Sequence, residues 1–339
     1  MKGNCGLRSR QCSADSHSEL QKDAFMTPSE IPGESATTST VSVIICAYTL
    51  ERWELMKEAL ASVVRQDLAP LEVFLCSDHN EALYERCIQE LPAMTADAPW
   101  ILNVVQNRFD TRLGGARTTA AEIATGDILA FLDDDAAATP SWLATLTRHY
   151  SDANIVAVGG APVAKYETER PRWLPFECNW IFGCAYRGLP VKVGPISHMI
   201  GANMSVRRSV LMSWGGFQSD NHDDMDLSHR AIHAHGPRSV LFDPKAIVYH
   251  FVPSARLTWS YFWRRCFFVN KGKVAAFRTM GQASNLNAEL KFAGRSLTRA
   301  FVLEGRELLG GDAYAPVRYA ALIVAIGLGG AGAMAGRLK

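Results

Sequence analysis

The feature that most constrains the fold is a regular alternation of short apolar runs and amphipathic helical patterns between Val41 and Val158. The apolar runs have the length of buried strands, and the segments between them repeat apolar residues at helical spacing. The predicted strands are Val41–Cys46, Glu72–Cys76, Ile101–Val105, Ile128–Leu132 and Ile155–Val158. Because the connections are short, this alternation predicts an α/β fold with a parallel sheet covered by helices on both faces.

Composition and charge narrow the class of function. The chain has 339 residues, of which 48% are hydrophobic and 20% charged, so it has enough apolar residues for a globular core. Its 35 basic and 34 acidic residues leave a formal net charge of +1, whereas a nucleic-acid-binding protein usually carries a strong basic excess. The 8 cysteines include no C-x-x-C pair, which is typical of reduced thiols. We therefore expect a cytoplasmic protein that binds no nucleic acid.

The two ends of the chain differ from the α/β region in composition and hydrophobic pattern. Residues 1–40 are rich in serine and threonine and lack the apolar stretch of a signal peptide, which predicts a disordered tail. The pattern over residues 256–312 predicts a helical, partly amphipathic extension. Its aromatic and basic side chains have three alternative roles: contact with sugar rings, location at a membrane surface, or packing into a core. Residues 313–339 form a hydrophobic segment, and its uncharged stretch from Tyr319 to Gly336 is just long enough to span a bilayer. We expect the C-terminus to hold the chain at, or anchor it in, the cytoplasmic membrane.

Three consecutive aspartates, Asp133, Asp134 and Asp135, follow the fourth predicted strand. In sheets of this type ligands bind beyond the carboxyl ends of the strands, where Tyr48 and Asp78 follow the first two strands. Adjacent carboxylates repel one another, so the fold must neutralise them with a cation or a cluster of donors. This pattern favours a hard divalent cation held by one or two carboxylates beside a diphosphate. An exposed acidic loop or a capped helix N-terminus is the alternative.

A series of motifs in the range Val41–His250 resembles, in order and spacing, the family 2 glycosyltransferases. The matching motifs are Val41–Tyr48, Ser62–Gln66, Glu72–Asp78, Asn107, Gly114, Ala116-Arg117, Gly126–Asp135, Gly201–Ser205, Gly215–Phe217, Asp223–Leu227 and Arg230. Two positions depart from the usual family pattern. Ser77-Asp78 stands where Asp-Asp is usual, and Asp223-Asp224 stands where Glu-Asp is usual.

The resemblance implies a GT-A fold over residues 41–255, with a mostly parallel central sheet, flanking helices, and nucleotide-binding and acceptor-binding halves. It also implies sugar transfer from a nucleotide-diphosphate donor with inversion at the anomeric carbon, assisted by Mg²⁺ or Mn²⁺. The implied donor-binding residues are Tyr48 and Asp78 at the nucleoside base, Arg117 at the diphosphate, Asp133 at the ribose and metal, and Asp134. The implied metal ligands are Asp133, Asp135 and His250. For His250, a structural histidine is the alternative.

The second half of the resemblance contains the implied catalytic base. Inverting transfer requires a placed carboxylate that accepts the proton of the acceptor hydroxyl. Asp224 matches the family position of this base, and Asp223 is its rival. Asp226 is expected to pair with Arg230 one helical turn later. The alternative is that all three acids only favour the N-terminal dipole of a helix.

The expected function is therefore a glycosyltransferase of the hexosyltransferase type, with a glycan or lipid-linked acceptor in cell-surface polysaccharide or glycolipid synthesis. One alternative is a nucleotidyltransferase, which would need a glycine-rich phosphate loop after the first strand, but residues 46–53 contain no glycine. The other is a catalytically inactive sugar-nucleotide-binding scaffold, which is disfavoured because carboxylates of both the metal-binding and the base type are present.

Overall fold

Four parallel strands form one half of the central sheet, as the strand-helix alternation predicts. The computed structural model describes residues 39–218, 222–279 and 287–337, so the predicted tail over 1–40 lies outside the described residues except for its last two. The strands are β1 (Val41–Ala47), β2 (Glu72–Ser77), β3 (Ile101–Gln106) and β4 (Ile128–Asp133), in the order β3-β2-β1-β4. The intervening helices are α1 (Trp53–Val64), α2 (Glu81–Met94) and α3 (Leu113–Ile123). All four carboxyl ends therefore lie on one edge of the sheet.

Alternating side chains of β1 enter two separate hydrophobic cores. Val43 and Ile45 belong to the core that α1 and α2 cover, whereas Ile44 belongs to the core that α3 covers. A strand buried on both faces shows no polar alternation, which is why its sequence is a continuous apolar run. The polar groups that can meet a ligand are therefore those at the strand ends.

The second half of the sheet is mixed. Its elements are β5 (Ala136–Ala138), α4 (Trp142–Thr147), β6 (Ala157–Tyr166), β7 (Gly194–Pro195), β8 (Asn203–Arg207), α5 (Arg208–Ser213), α6 (Asp223–His235) and β9 (Val240–Val252). The strand order continues as β4-β8-β6-β9-β5, with β7 paired to β9. β8 runs antiparallel to both β4 and β6, so it separates two strands that the sequence pattern places in one parallel series.

The predicted fifth strand, Ile155–Val158, is too short, because β6 continues to Tyr166. β6 passes through Gly159-Gly160, a pair that is typical of a turn. A Cβ atom at Gly160 would lie 2.2 Å from the carbonyl oxygen of Ala246 in β9, so a side chain does not fit there. The glycines therefore allow a close approach inside the sheet, next to a bulge, and do not end the strand.

Three helices follow the sheet: α7 (Trp259–Thr279), α8 (Asn287–Leu309) and α9 (Ala315–Arg337). They share a third hydrophobic core with the 3₁₀ helix Phe176–Phe182. Within the described residues, α9 is the one helix long and apolar enough to cross a membrane, with a mean hydropathy of 1.7 and 33% of its apolar window buried in the protein. The predicted divisions of the chain at residues 256 and 313 stay predictions.

Candidate active site

A cavity of about 460 Å³ lies beside the carboxyl end of β4, which is within the usual size range of ligand sites. Its lining includes Arg117, Asp133, Asp223 and Asp224 together with residues of α7. The lining residues are Leu113, Arg117, Asp133, Gly183, Ile200, Gly201, Ala202, His222, Asp223, Asp224, Arg265, Phe268, Val269 and Gly272. The fold therefore brings the predicted base region, one aspartate of the triplet and the predicted diphosphate arginine into one cavity.

Arg117, on α3, links the two groups of acids. Its Nη2 donates hydrogen bonds to Oδ1 of Asp133 and to the carbonyl oxygen of Gly201, both at 2.9 Å. Its Nη1 donates to Oδ2 of Asp223 at 2.5 Å. The side chain is almost fully buried, so these pairs are shielded from water. Arg117 therefore joins the end of β4 to the start of α6 and offsets part of their negative charge.

Arg52, which precedes α1, neutralises the other two aspartates of the triplet. Its Nη1 lies 2.8 Å from Oδ1 of Asp134 and 3.0 Å from Oδ2 of Asp135. Asp134 and Asp135 are only 3% and 5% exposed, so the alternative of an exposed acidic loop is wrong. Burial and the charge of Asp135 raise the pKa of Asp134 to about 7, although Arg52 opposes this shift. No local sequence pattern points to Arg52, because it lies 82 positions from Asp134 along the chain.

Asp133, Asp135 and His250 form a group that suits a divalent cation. One ligand atom of each residue lies within 4.8 Å of the others. Nε2 of His250 is 3.0 Å from Oδ1 of Asp135 and 4.0 Å from Oδ2 of Asp133, the oxygen that Arg117 does not bind. Carboxylates suit Mg²⁺ and Mn²⁺, and imidazole suits transition metals, so the residues present fit the predicted cation. The antiparallel pairing of β5 with β9, in which Ala136 lies opposite His250, brings the histidine to the aspartates.

The second ring nitrogen of His250 faces a cysteine that the sequence analysis did not select. Nδ1 of His250 lies 3.3 Å from Sγ of Cys184, and both side chains are buried. Burial lowers the pKa of His250, but the hydrogen bonds to Asp135 and Cys184 outweigh it and raise the pKa overall. An imidazole held between a carboxylate and a thiol has a fixed ring orientation, which is what a metal-binding histidine requires of its surroundings.

Tyr48 and Asp78 follow β1 and β2 on the same edge of the sheet, but they do not line the cavity. The ring of Tyr48 is 55% exposed, and the guanidinium of Arg52 lies 5.3 Å from its centroid. Asp78 accepts a hydrogen bond from Nδ2 of Asn107 at 2.8 Å. An exposed ring and an ordered carboxylate are compatible with binding a planar base. Their nucleoside-binding roles stay predictions.

α6 begins at Asp223, and its first turn contains the predicted base. The carboxylate of Asp223 is paired with Arg117. Asp224 also lines the cavity, and its Oδ2 accepts a hydrogen bond from the backbone N–H of Gly201 at 3.0 Å. Burial and the charge of Asp223 raise the pKa of Asp224 to about 6. The two neighbouring acids therefore differ: Asp223 is paired with Arg117, whereas Asp224 forms no ion pair with any side chain that the structure describes.

The third acid of this turn, Asp226, does not line the cavity. Its Oδ2 lies 2.6 Å from Nη2 of Arg230, which confirms the predicted ion pair. His222, the residue before the helix, has a φ of 83°, in the left-handed region that residues with a side chain rarely adopt. All three acids also lie at the positive end of the helix dipole, so the dipole interpretation and the base interpretation are compatible.

The sheet has a parallel first half with acidic strand ends and a mixed second half. This arrangement defines the class of protein as GT-A. A mannosyltransferase from Pyrobaculum calidifontis, solved in complex with GDP-Man and Mn²⁺, matches with a TM-score of 0.57 at 20% identity. The match covers 86% of this chain and 87% of that one. This likeness concerns the fold alone, and it confirms the predicted GT-A fold.

Residues 42–215, about half of the chain, match the sequence model of glycosyl transferase family 2, and the chain belongs to that family. It is 36% identical over 183 residues to the glucosyl-dolichyl phosphate glucuronosyltransferase of Haloferax volcanii, which covers 53% of this chain and 56% of the relative. It is 32% identical over 140 residues to the pre-mycofactocin glycosyltransferase of Mycobacterium tuberculosis, and this match covers 40% of this chain and 29% of the relative. The chain thus spans little more than half the length of the first relative and less than a third of the second.

Proposed function

We propose that this chain is an inverting glycosyltransferase, which transfers a sugar from a nucleotide-diphosphate donor to an acceptor hydroxyl with Asp224 as the base. Membership of family 2 supports the reaction class, and the GT-A fold supports a nucleotide-sugar donor. The observation that carries the proposal is that two adjacent acids differ in their ion pairing. Asp223 is paired with Arg117, whereas Asp224 borders the same cavity and has no ion-pair partner in the described part of the chain.

The proposed step is a single displacement at the anomeric carbon. The bond from the acceptor oxygen to that carbon forms as the bond from the carbon to the diphosphate breaks, and the hydroxyl proton passes to Asp224. Asp133, Asp135 and His250 would hold Mg²⁺ or Mn²⁺, whose chemistry is to neutralise the leaving diphosphate. Arg117 adds a fixed positive charge on the same side of the cavity. A pKa of about 6 suits Asp224 for accepting a proton near neutral pH.

On the donor side, we propose that Tyr48 and Asp78 contact the nucleoside. Both residues follow strands that neighbour each other in the sheet, and Asp78 is held in place by Asn107. Asp134 contributes indirectly, because it binds the guanidinium of Arg52 that lies against the ring of Tyr48. The predicted base contacts and the predicted metal ligands thus share one edge of the sheet, which supports a donor bound along that edge.

For the acceptor, we propose a glycan or lipid-linked hydroxyl compound in cell-surface polysaccharide or glycolipid synthesis, at the cytoplasmic face of the membrane. The Haloferax volcanii relative is named for a glucosyl-dolichyl phosphate substrate, and α9 is apolar enough to lie in a bilayer. Flotation of the full chain with phospholipid vesicles tests the membrane location. Recovery of all the protein in the vesicle-free fraction would contradict it.

The test of the base compares Asp224→Asn with the matched variant Asp226→Asn. Asparagine keeps the size of the side chain but cannot accept the proton, so transfer should fall by roughly 10²–10⁴-fold in Asp224→Asn. Affinity for Mn²⁺ and nucleoside diphosphate should stay unchanged, because those ligands are assigned to other residues. Asp226→Asn should lose some stability through Arg230 and little turnover. Single-turnover transfer at saturating donor, alongside calorimetric nucleotide binding, measures both effects.

The pH profile gives a second, independent readout of the base. Asp224 must be ionised to accept a proton, so kcat/KM should rise as the pH increases through about 6 and then level off. Asp224→Asn should lose this acidic limb. Near-normal turnover in Asp224→Asn, with a dead Asp223→Asn, would move the base to the preceding residue and refute the assignment.

A further inference from the structure

The cavity has a second wall with a different chemical character from the acidic one. α7 contributes Arg265, Phe268, Val269 and Gly272 to the lining of the cavity, which also contains the acids on β4 and α6. Phe268 is 55% exposed, so its ring is available to a ligand. The lining therefore combines carboxylates from β4 and α6 with a cation and an aromatic ring from α7.

Arg265 differs from the other arginines near the cavity in its partners. Arg117 and Arg52 are each paired with two aspartates. Arg265 donates a hydrogen bond from Nε to the carbonyl oxygen of Ile181 at 3.3 Å. Among the side chains that the structure describes (39–218, 222–274 and 293–337), Arg265 has no acidic partner. Of the four α7 residues in the cavity lining, Arg265 is the cation, and its guanidinium can donate hydrogen bonds to a ligand.

The positive character of this wall is evident at a neighbouring histidine. Burial, together with the charges of Lys273 and Arg265, lowers the pKa of His222 to about 4. A Cβ atom at Gly272 would lie 2.6 Å from Nε2 of His222, so α7 packs directly on the residue that precedes α6. The wall that carries Arg265 is thus held in close contact with the segment that carries Asp224.

We infer that Arg265 binds a phosphate group of the acceptor, with Phe268 against the adjoining carbon chain, while the acceptor hydroxyl faces Asp224. This inference rests on the proposed function, which assigns the donor diphosphate to the metal group of Asp133, Asp135 and His250. A guanidinium offers two parallel N–H donors that match a phosphate, and an exposed aromatic ring offers a surface for an apolar chain. The acceptor class is therefore a phosphate-bearing compound, with an apolar group next to the phosphate.

Binding to the full chain tests this inference without turnover. The probes are farnesyl phosphate, farnesol and inorganic phosphate, titrated calorimetrically in dilute detergent. Wild type should bind farnesyl phosphate about 10- to 100-fold more tightly than either other probe, which is the usual effect of a hydrogen bond to a charged group combined with apolar contact. Arg265→Gln should bring farnesyl phosphate to the level of farnesol, and Arg265→Lys should retain part of the preference.

Arg264→Gln is the matched control, because Arg264 is the preceding residue of the same helix, is exposed and does not line the cavity. It should bind all three probes as wild type does. An equal loss in Arg264→Gln would reduce the effect to general surface charge and overturn the inference. Inorganic phosphate bound as tightly as farnesyl phosphate, with the same dependence on Arg265, would indicate a site for free phosphate and would also overturn it.

Two further readouts separate this inference from the proposed function. If Arg265→Gln weakens nucleoside diphosphate binding and leaves farnesyl phosphate binding unchanged, Arg265 belongs to the donor and the inference is wrong. If Asp224→Asn retains transfer while Arg265→Gln loses the phosphate preference, the base assignment fails and the acceptor site stands. Matched melting temperatures of the variants confirm that each is folded.

Discussion

Replacement of Arg117 by methionine tests how the acids of the cavity are held together. Arg117 is almost fully buried and lies 2.9 Å from Asp133 and 2.5 Å from Asp223. Methionine keeps most of the apolar stem but leaves both carboxylates without this counter-charge. Removal of one partner of a buried ion pair costs about 3–5 kcal/mol. We expect the free energy of unfolding at neutral pH to fall by that amount.

The loss in Arg117→Met should shrink as the pH falls. Burial raises the pKa of Asp223 above its ordinary value, although Arg117 lowers it. A carboxyl group with a raised pKa in the folded state binds more protons folded than unfolded, so stability falls as the pH rises between the unfolded and folded pKa values. Without Arg117, that interval extends to higher pH. The variant should therefore regain stability on acidification more steeply than wild type does.

Equilibrium unfolding in urea, followed by tryptophan fluorescence at several pH values, measures both effects. Arg108→Met is the control, because Arg108 and Glu122 form an exposed ion pair, which is worth at most about 1 kcal/mol. The double variant Arg117→Met/Asp223→Asn should recover part of the loss, since one unpaired charge is removed. A loss below about 1 kcal/mol in Arg117→Met, or no recovery in the double variant, would refute this account of the cavity.

Two further predictions follow from close contacts. Cys184→Val should weaken Mn²⁺ binding by about 10- to 100-fold, because Nδ1 of His250 loses its partner, whereas Cys184→Ser should retain most of the affinity. Titration with Mn²⁺, followed by electron paramagnetic resonance, measures both affinities. Equal affinity in the two variants would contradict the prediction. Gly332→Ala should destabilise the protein by about 1–3 kcal/mol, because its Cβ atom would lie 2.2 Å from the carbonyl oxygen of Phe267. Gly330→Ala, which meets nothing within 4 Å, should stabilise by up to about 1 kcal/mol, and a higher melting temperature for Gly332→Ala would refute the packing argument.

The first half of the fold could be predicted because its determinants are local. A strand buried on both faces must be apolar throughout, and a helix that covers it must be apolar on one side, so both patterns are visible within a short window. The position of β8 between β4 and β6 could not be predicted in this way. It depends on pairing Leu132 with Asn203, far apart in the sequence, and no local pattern distinguishes an antiparallel neighbour from a parallel one.

The candidate site likewise contains residues that a local sequence pattern predicts and residues that it does not. The aspartates after β4 could be selected because three adjacent carboxylates need an explanation, whatever the fold. Their counter-charges could not, since Arg52 and Arg117 become neighbours of the acids only when α1 and α3 pack on the sheet. For His250 the sequence left a structural role open. The pairing of β5 with β9 brings it to Asp135, but its assignment as a metal ligand stays a proposal.

The extent of the family match bears on where acceptor specificity lies. The match ends at residue 215, after the strands and aspartates that the proposed function assigns to the donor. Asp224, His250 and the α7 wall with Arg265 all lie beyond it. In the proposed reaction the donor diphosphate is the constant feature and the acceptor is the variable one. Because a Cβ atom at Gly272 would lie 2.6 Å from Nε2 of His222, a larger residue at this position of α7 would press on the residue that precedes the base segment. We therefore expect substitutions on α7 to change acceptor binding and the position of Asp224 together.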